Sequence, residues 1–166
     1  MKTTTLRIFI LSILLGISTH YSFGTSYQWV GSTSNSWATS SNWSPSGVPD
    51  SADNVTISSG TYNLLLDQNR RVTNFTLSNK TVDLNSYSLT VYGTATMTSG
   101  TVTNGTFYAR GTLAAFNGTV MDCPVDAICG YIRLSGSTFN ETADFTDTGT
   151  ATGTGTGGCT DRKSVV

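Results

Sequence analysis

From residue 54 onward, apolar side chains stand two apart in short runs, and the runs return at nearly constant spacing. Side chains two apart on a strand share one face. The doublets Val55/Ile57, Phe75/Leu77, Ala95/Met97, Ala114/Phe116 and Ile132/Leu134 step by 20, 20, 19 and 18 residues. A second series, Val82/Leu84, Val102, Val120 and Phe139, interleaves with it at steps of about 18 to 20. A third, Leu89/Val91, Phe107/Ala109, Val125/Ala127 and Ala143/Phe145, steps by 18 each time. Three strands per repeat is the arithmetic of a three-faced solenoid. The pattern therefore predicts an all-β fold: a right-handed parallel β-helix over residues 54–160, with about 20 residues per coil. An antiparallel β-sandwich is the competing architecture, since short strands with frequent turns describe that class as well.

The physics of stacking favours the solenoid. One coil cannot bury its inward residues alone, but coils stacked at about 4.8 Å share a continuous core and make every ladder hydrogen bond with the coil above or below. Outward positions are mostly Thr, Ser and Asn, which can form ladders along the axis without stacking like charges. Turn residues that tolerate positive φ fall between the runs, at Ser59-Gly60, Asn79-Lys80, Asn85-Ser86, Gly93, Ser99-Gly100, Asn104-Gly105, Asn117-Gly118 and Ser135-Gly136.

The two ends have a different texture. Lys2 and Arg7 precede an apolar run from Ile8 to Ile17, and Ser22-Phe23-Gly24 offers a small-x-small cleavage site, so residues 1–24 read as a secretory signal peptide. The run is too short to span a bilayer, and no other stretch is a candidate, so no integral membrane span is expected in the mature chain. At the other end, Asp161 to Val166 breaks from the Thr/Gly text and back-translates to a common sequencing-adapter string. Residues 161–166 thus read as an adapter-derived scar and the solenoid as an incomplete one. The stretch Thr148 to Gly158 suits a low-complexity linker or a thin coil.

Charge narrows the partners. Only 11% of residues are charged, and without the leader and the tail five basic and nine acidic residues remain, a net of −4. Arg70, Arg71, Lys80, Arg110 and Arg133 are scattered, which argues against nucleic acid, whose binding needs clustered cations.

Residues 25–53 are rich in Trp, Ser, Asn and Pro, and Trp29, Trp37 and Trp43 are predicted to form an N-terminal cap that closes the first coil. Exposed as a platform, the same rings could instead stack on sugars. The succession Tyr27-Gln28-Trp29-Val30-Gly31, Trp37, Asn42-Trp43, Gly47-Val48-Pro49 and Asp53-Asn54-Val55-Thr56-Ile57 resembles the opening module of large secreted repeat proteins of Bacteroidetes-type bacteria, the type IX-secreted and adhesin-like β-helix proteins. Cys123-Pro124-Val125, Gly136-Ser137-Thr138-Phe139-Asn140 and Ala143-Asp144-Phe145 look like coils of the same proteins. The resemblance covers most of residues 27–160 and implies export across both membranes, with attachment or release at the cell surface.

Chemistry is sparse. The one histidine, His20, lies in the leader, so the mature body lacks Ser-His-Asp and Cys-His nucleophilic sites and nearly all zinc or iron sites; no cofactor and no metal is expected. Asp50 and Asp53 share a turn that could carry a structural Ca²⁺. Glu141, Asp144 and Asp147 are the densest carboxylate group, and a solvated turn explains them. By analogy with polysaccharide lyases on β-helices, Asp122, Asp126, Arg110 and Arg133 are the residues to inspect for a carboxylate and a basic group on one face. Cys123 and Cys129 can close a small disulfide loop around Pro124; pairing of Cys129 with Cys159, or free buried thiols, are the alternatives. The expectation is a non-enzymatic structural or adhesive segment of a secreted or cell-surface protein, with surface glycans or other cell-surface proteins as partners. The alternative is a carbohydrate-binding or polysaccharide-lyase-like β-helix.

Overall fold

The computed structural model describes residues 24–149. The leader apart from Gly24, Cys159, most of the Thr/Gly run and the 161–166 tail lie outside the described residues. Two short strands, β1 (Ser26–Trp29) and β2 (Trp43–Ser44), precede five coils of three strands each. The first coil holds β3 (Asn54–Ile57), β4 (Leu64–Leu65) and β5 (Arg70–Val72), the second β6 (Asn74–Ser78), β7 (Thr81–Asp83) and β8 (Ser88–Val91). The third holds β9 (Thr94–Thr98), β10 (Thr101–Thr103) and β11 (Thr106–Ala109), the fourth β12 (Leu113–Asn117), β13 (Val120–Asp122) and β14 (Val125–Cys129), and the fifth β15 (Ile132–Ser135), β16 (Thr138–Phe139) and β17 (Ala143–Asp147).

Like strands of successive coils pair in parallel, giving three sheets: β15-β12-β9-β6-β3-β1-β2 on the first face, β16-β13-β10-β7-β4 on the second and β17-β14-β11-β8-β5 on the third. The protein is a β-solenoid, and among the described strands only β1 and β2 pair antiparallel. The first apolar series is the register of the first face residue for residue: Val55 pairs with Phe75, Phe75 with Ala95, Ala95 with Ala114 and Ala114 with Ile132. The third series is likewise the register of the third face, from Leu89 through Phe107 and Val125 to Ala143.

The second series needs a correction. Val102 pairs with Met121, not Val120, and Met121 is buried while Val120 is only half-buried. The corner explains the slip. Five positions separate the last inward residue of the first face from the inward residue of the second, as in Leu77 to Val82 and Met97 to Val102. The same count from Phe116 reaches Met121, so a β-branched apolar residue sits on the outside. On the second and third faces of the first coil, the inward residues Leu64, Leu66 and Val72 belonged to none of the three series.

The corner itself repeats. Gly60, Asn79, Ser99, Gly118 and Gly136 all take positive φ after the first strand of their coils, at 103°, 53°, 52°, 62° and 59°. Small or amide-bearing residues meet that demand with the least strain. Inside, volume is balanced between coils: where the first face narrows to Ala95 and Ala114, the Phe107 ring reaches across from the third face, 6.1 Å from Phe75 and 6.2 Å from Phe116. Fully burying each such side chain stabilises by about 1.5–3 kcal/mol.

Candidate functional site

The N-terminal residues form an extra, irregular winding on the first coil. β1 continues the first face on β3 with Tyr27 opposite Val55, and Ser36 bridges Leu65 on the second face. On the third, Thr73 N donates to Asp53 O at 2.8 Å. Trp29, Trp37 and Trp43 are buried, with Trp43 edge-on to both others at 4.9 Å, as the cap requires and a sugar platform does not. Each indole N–H has a carbonyl acceptor: Tyr62 O for Trp29, Pro49 O for Trp37 and Trp37 O for Trp43. Burial therefore leaves no indole donor stranded.

Two polar residues organise this winding. Buried Asn42 accepts from the N–H groups of Thr33 and Ser34, both at 3.0 Å, and donates to Ser34 Oγ and Ser36 O. The sequence places Asn42 in the Asn42-Trp43 step that carries the resemblance, but assigns it no role in the cap. Asp53 accepts from Thr25 N at 2.7 Å and from Asp50 N at 2.8 Å, while Asp50 accepts from Ala52 N at 2.9 Å. These carboxylates hold backbone amides and pin the start of β1, which is the staple that a Ca²⁺ ion was considered for.

The residues singled out for lyase-like chemistry divide between faces. Arg110 and Asp126 come together on the third face: the guanidinium pairs with both carboxylate oxygens and donates to Asp126 O at 2.7 Å. It also lies over the Tyr108 ring, 4.9 Å from its centre. Asp122 ends β13 on the second face, and Arg133 stands on the first, over Tyr131. The proposed quartet is thus one pair and two distant residues. Asp144 is the in-register neighbour of Asp126 on β17, so their Cα atoms stand about 4.8 Å apart. Two carboxylates at that spacing repel, and Arg110 offsets the repulsion on the Asp126 side.

Around this pair runs a shallow groove of about 310 Å³, lined by Thr106, Tyr108, Pro124, Asp126, Thr142 and Asp144 among others. It offers hydroxyls, carboxylates and part of an aromatic ring, a set able to hydrogen-bond a polyol. Arg110, the basic side chain beside it among the described residues, is engaged by Asp126. Tyr108 was missed from the sequence, because only pairing between coils reveals which outward residues share a column.

Cys123 and Cys129 are both buried and not joined in a disulfide. Cys129 ends β14 and Cys123 stands two residues before its start, and a five-residue strand alone spans about 13 Å, well beyond the Cα separation of about 7 Å that a disulfide allows. The predicted loop around Pro124 is thereby corrected; the alternative partner Cys159 is outside the described residues. Burial pushes the Cys123 thiol up to about 12, with the Asp122 charge adding to the rise, and burial likewise raises Cys129. Among the described residues, no group of three or more His, Cys, Asp or Glu side chains is placed to hold a metal ion. Nor is any helix among them long and apolar enough to cross a membrane.

Fold and groove together define the class: a three-faced parallel β-solenoid with an aromatic cap. Comparison with known proteins found no matching family model, no matching curated protein and no matching solved structure.

Proposed function

We propose that the chain is a non-enzymatic structural or adhesive segment of a secreted or cell-surface bacterial repeat protein, a stiff spacer that holds a binding or sorting module away from the membrane. The observation that carries this reading is the exterior of the first face. The register column Gln28, Thr56, Thr76, Thr96 and Ala115 runs along it neutral through four coils and meets one charge, Arg133, in the fifth, beside the neutral column Ser78, Thr98, Asn117 and Ser135. Short neutral side chains in register suit a rod whose role is length, because they stack without repulsion at every added coil. Five coils at about 4.8 Å give a rod about 24 Å long. The leader-like N-terminus and the Trp-module resemblance support export to the cell surface.

A second reading has one observation of its own. The third-face groove brings Asp126, Asp144, the Tyr108 ring and threonine hydroxyls together, with Arg110 held beside it by Asp126, which suits binding of a surface glycan. A glycan array combined with lyase assays separates the two. The structural or adhesive reading expects no cleavage and no binding that depends on the groove. Binding abolished by Asp126→Ala would move the assignment to the groove.

A further inference from the structure

Where the Trp winding meets the first coil, the third face carries a second groove of about 310 Å³, lined by Pro49, Asp50 and Ser51 from the winding and by Asn69, Arg70 and Arg71 from the coil. Both walls are held in place. Pro49 O accepts from Trp37 Nε1 at 3.3 Å, Asp50 N donates to Asp53 Oδ2 at 2.8 Å, and Ser51 O accepts from Thr73 Oγ1 at 3.1 Å. On the coil side, Asn69 Oδ1 accepts from Ser88 N at 2.9 Å and from Ser88 Oγ at 3.2 Å. The groove is thus formed before any ligand arrives, which spares binding the cost of ordering its walls.

Its donors point to an anion. The Arg70 side chain is only 11% exposed, and its Nε and Nη2 both donate to Asp67 Oδ1, at 3.1 and 2.7 Å. Its Cζ lies 5.6 Å from the centre of the Trp37 ring. Nη1 makes no hydrogen bond among the described residues, yet it is not sealed inside the protein. A nearly buried guanidinium therefore keeps a free donor on the groove wall. Arg71, beside it, is exposed and forms no ion pair among the described residues. Because the Asn69 carbonyl is occupied, its Nδ2 remains a donor as well. Planar guanidinium donors match a carboxylate, which they grip with parallel hydrogen bonds. Asp50 shares the lining, and Ala52 N donates to its Oδ1 at 2.9 Å. Its Oδ2 is left to accept from a hydroxyl, and its charge disfavours a dianion such as phosphate or sulfate.

We infer that this seam between cap and first coil binds an acidic sugar, its carboxylate against Arg71 and Arg70 and its ring hydroxyls between Asp50 and Asn69. The inference rests on the adhesive side of the reading above and gives it a ligand class and a place. Register explains why the site lies here and not beside Arg110. One outward column of the third face runs Arg71, Thr90, Tyr108, Asp126 and Asp144 from the cap onward. Its charge changes sign along the way, so a carboxylate is drawn to the cap end and repelled from the groove lined by Asp126 and Asp144.

Amide chemical shifts of the isotope-labelled full chain test this in titrations with glucuronate, with glucose, which has the ring without the carboxylate, and with acetate, which has the carboxylate without the ring. Glucuronate should shift the amides of Ser51, Asn69 and Arg71 saturably, and glucose and acetate should each bind at least about tenfold more weakly. Arg71→Gln should weaken glucuronate binding at least about tenfold with the rest of the spectrum unchanged, while Asp126→Ala leaves it intact. No saturable shift at those amides, glucose or acetate binding as well as glucuronate, or indifference to Arg71→Gln would overturn the proposal. Binding lost in Asp126→Ala but kept in Arg71→Gln would also overturn it, and would assign the sugar to the groove beside Arg110. Failure here leaves the stiff-spacer reading standing, because that reading depends on neither groove.

Discussion

Single side chains in this protein act chiefly by where the coil places them. Asn54 and Asn74 are register partners and join through Asn74 Nδ2 and Asn54 Oδ1 at 2.6 Å, and Asn74 Oδ1 then accepts from Thr94 N at 2.7 Å, so one amide column ties three coils. Gly93 lies against it: a Cβ there would come within 2.4 Å of Asn74 Oδ1, which is why glycine occupies the corner. Cys123 shows burial acting on chemistry. Its thiol is pushed up to about 12, whereas in the unfolded chain it ionises near its ordinary 9.0. Below the ordinary value both states hold the proton and the full stability is present; above it the unfolded chain loses the proton first, so stability falls as pH climbs toward about 12. Thermal melts between these limits should therefore decline more steeply for the native chain than for Cys123→Ala. An equal decline in both would show that the thiol is not the titrating group.

At the scale of strands and corners, legibility followed burial. The first and third apolar series gave the register of their sheets because Phe75/Leu77 and Leu89/Val91 alternate cleanly with polar neighbours. The second series slipped at β13, where Val120 and Met121 are adjacent and both apolar, so alternation alone cannot choose between them. The first coil was missed where Leu64-Leu65-Leu66 runs unbroken across a two-residue strand. The groove was legible only in its parts: Arg110 and Asp126 were singled out, but their meeting depends on pairing between coils, and Tyr108 joins them through the same register. The corrected register makes a direct prediction. Met121→Ala should cost about 2–4 kcal/mol in chemical denaturation, whereas Val120→Ala, on the outer surface, should cost under about 1. The reverse order would restore the uncorrected alignment.

For the whole molecule, the account reduces to repetition: one winding after another presents the same corner, the same inward positions and a largely unreactive exterior. Among the described residues the cap and the groove are the places where repetition stops, and each has a distinct chemistry. The cap covers an edge with three indoles, and the groove lies beside the Arg110–Asp126 pair. The claim beneath all of these is that the strands of neighbouring coils run in the same direction and in register. Backbone NOE spectroscopy on isotope-labelled protein addresses it most directly. The account predicts contacts joining Thr76 to both Thr56 and Thr96, and Val102 to both Val82 and Met121, without the strong Hα–Hα cross-peaks of antiparallel pairs outside β1 and β2. Strong Hα–Hα cross-peaks throughout residues 54–147, with those partners unconnected, would contradict it.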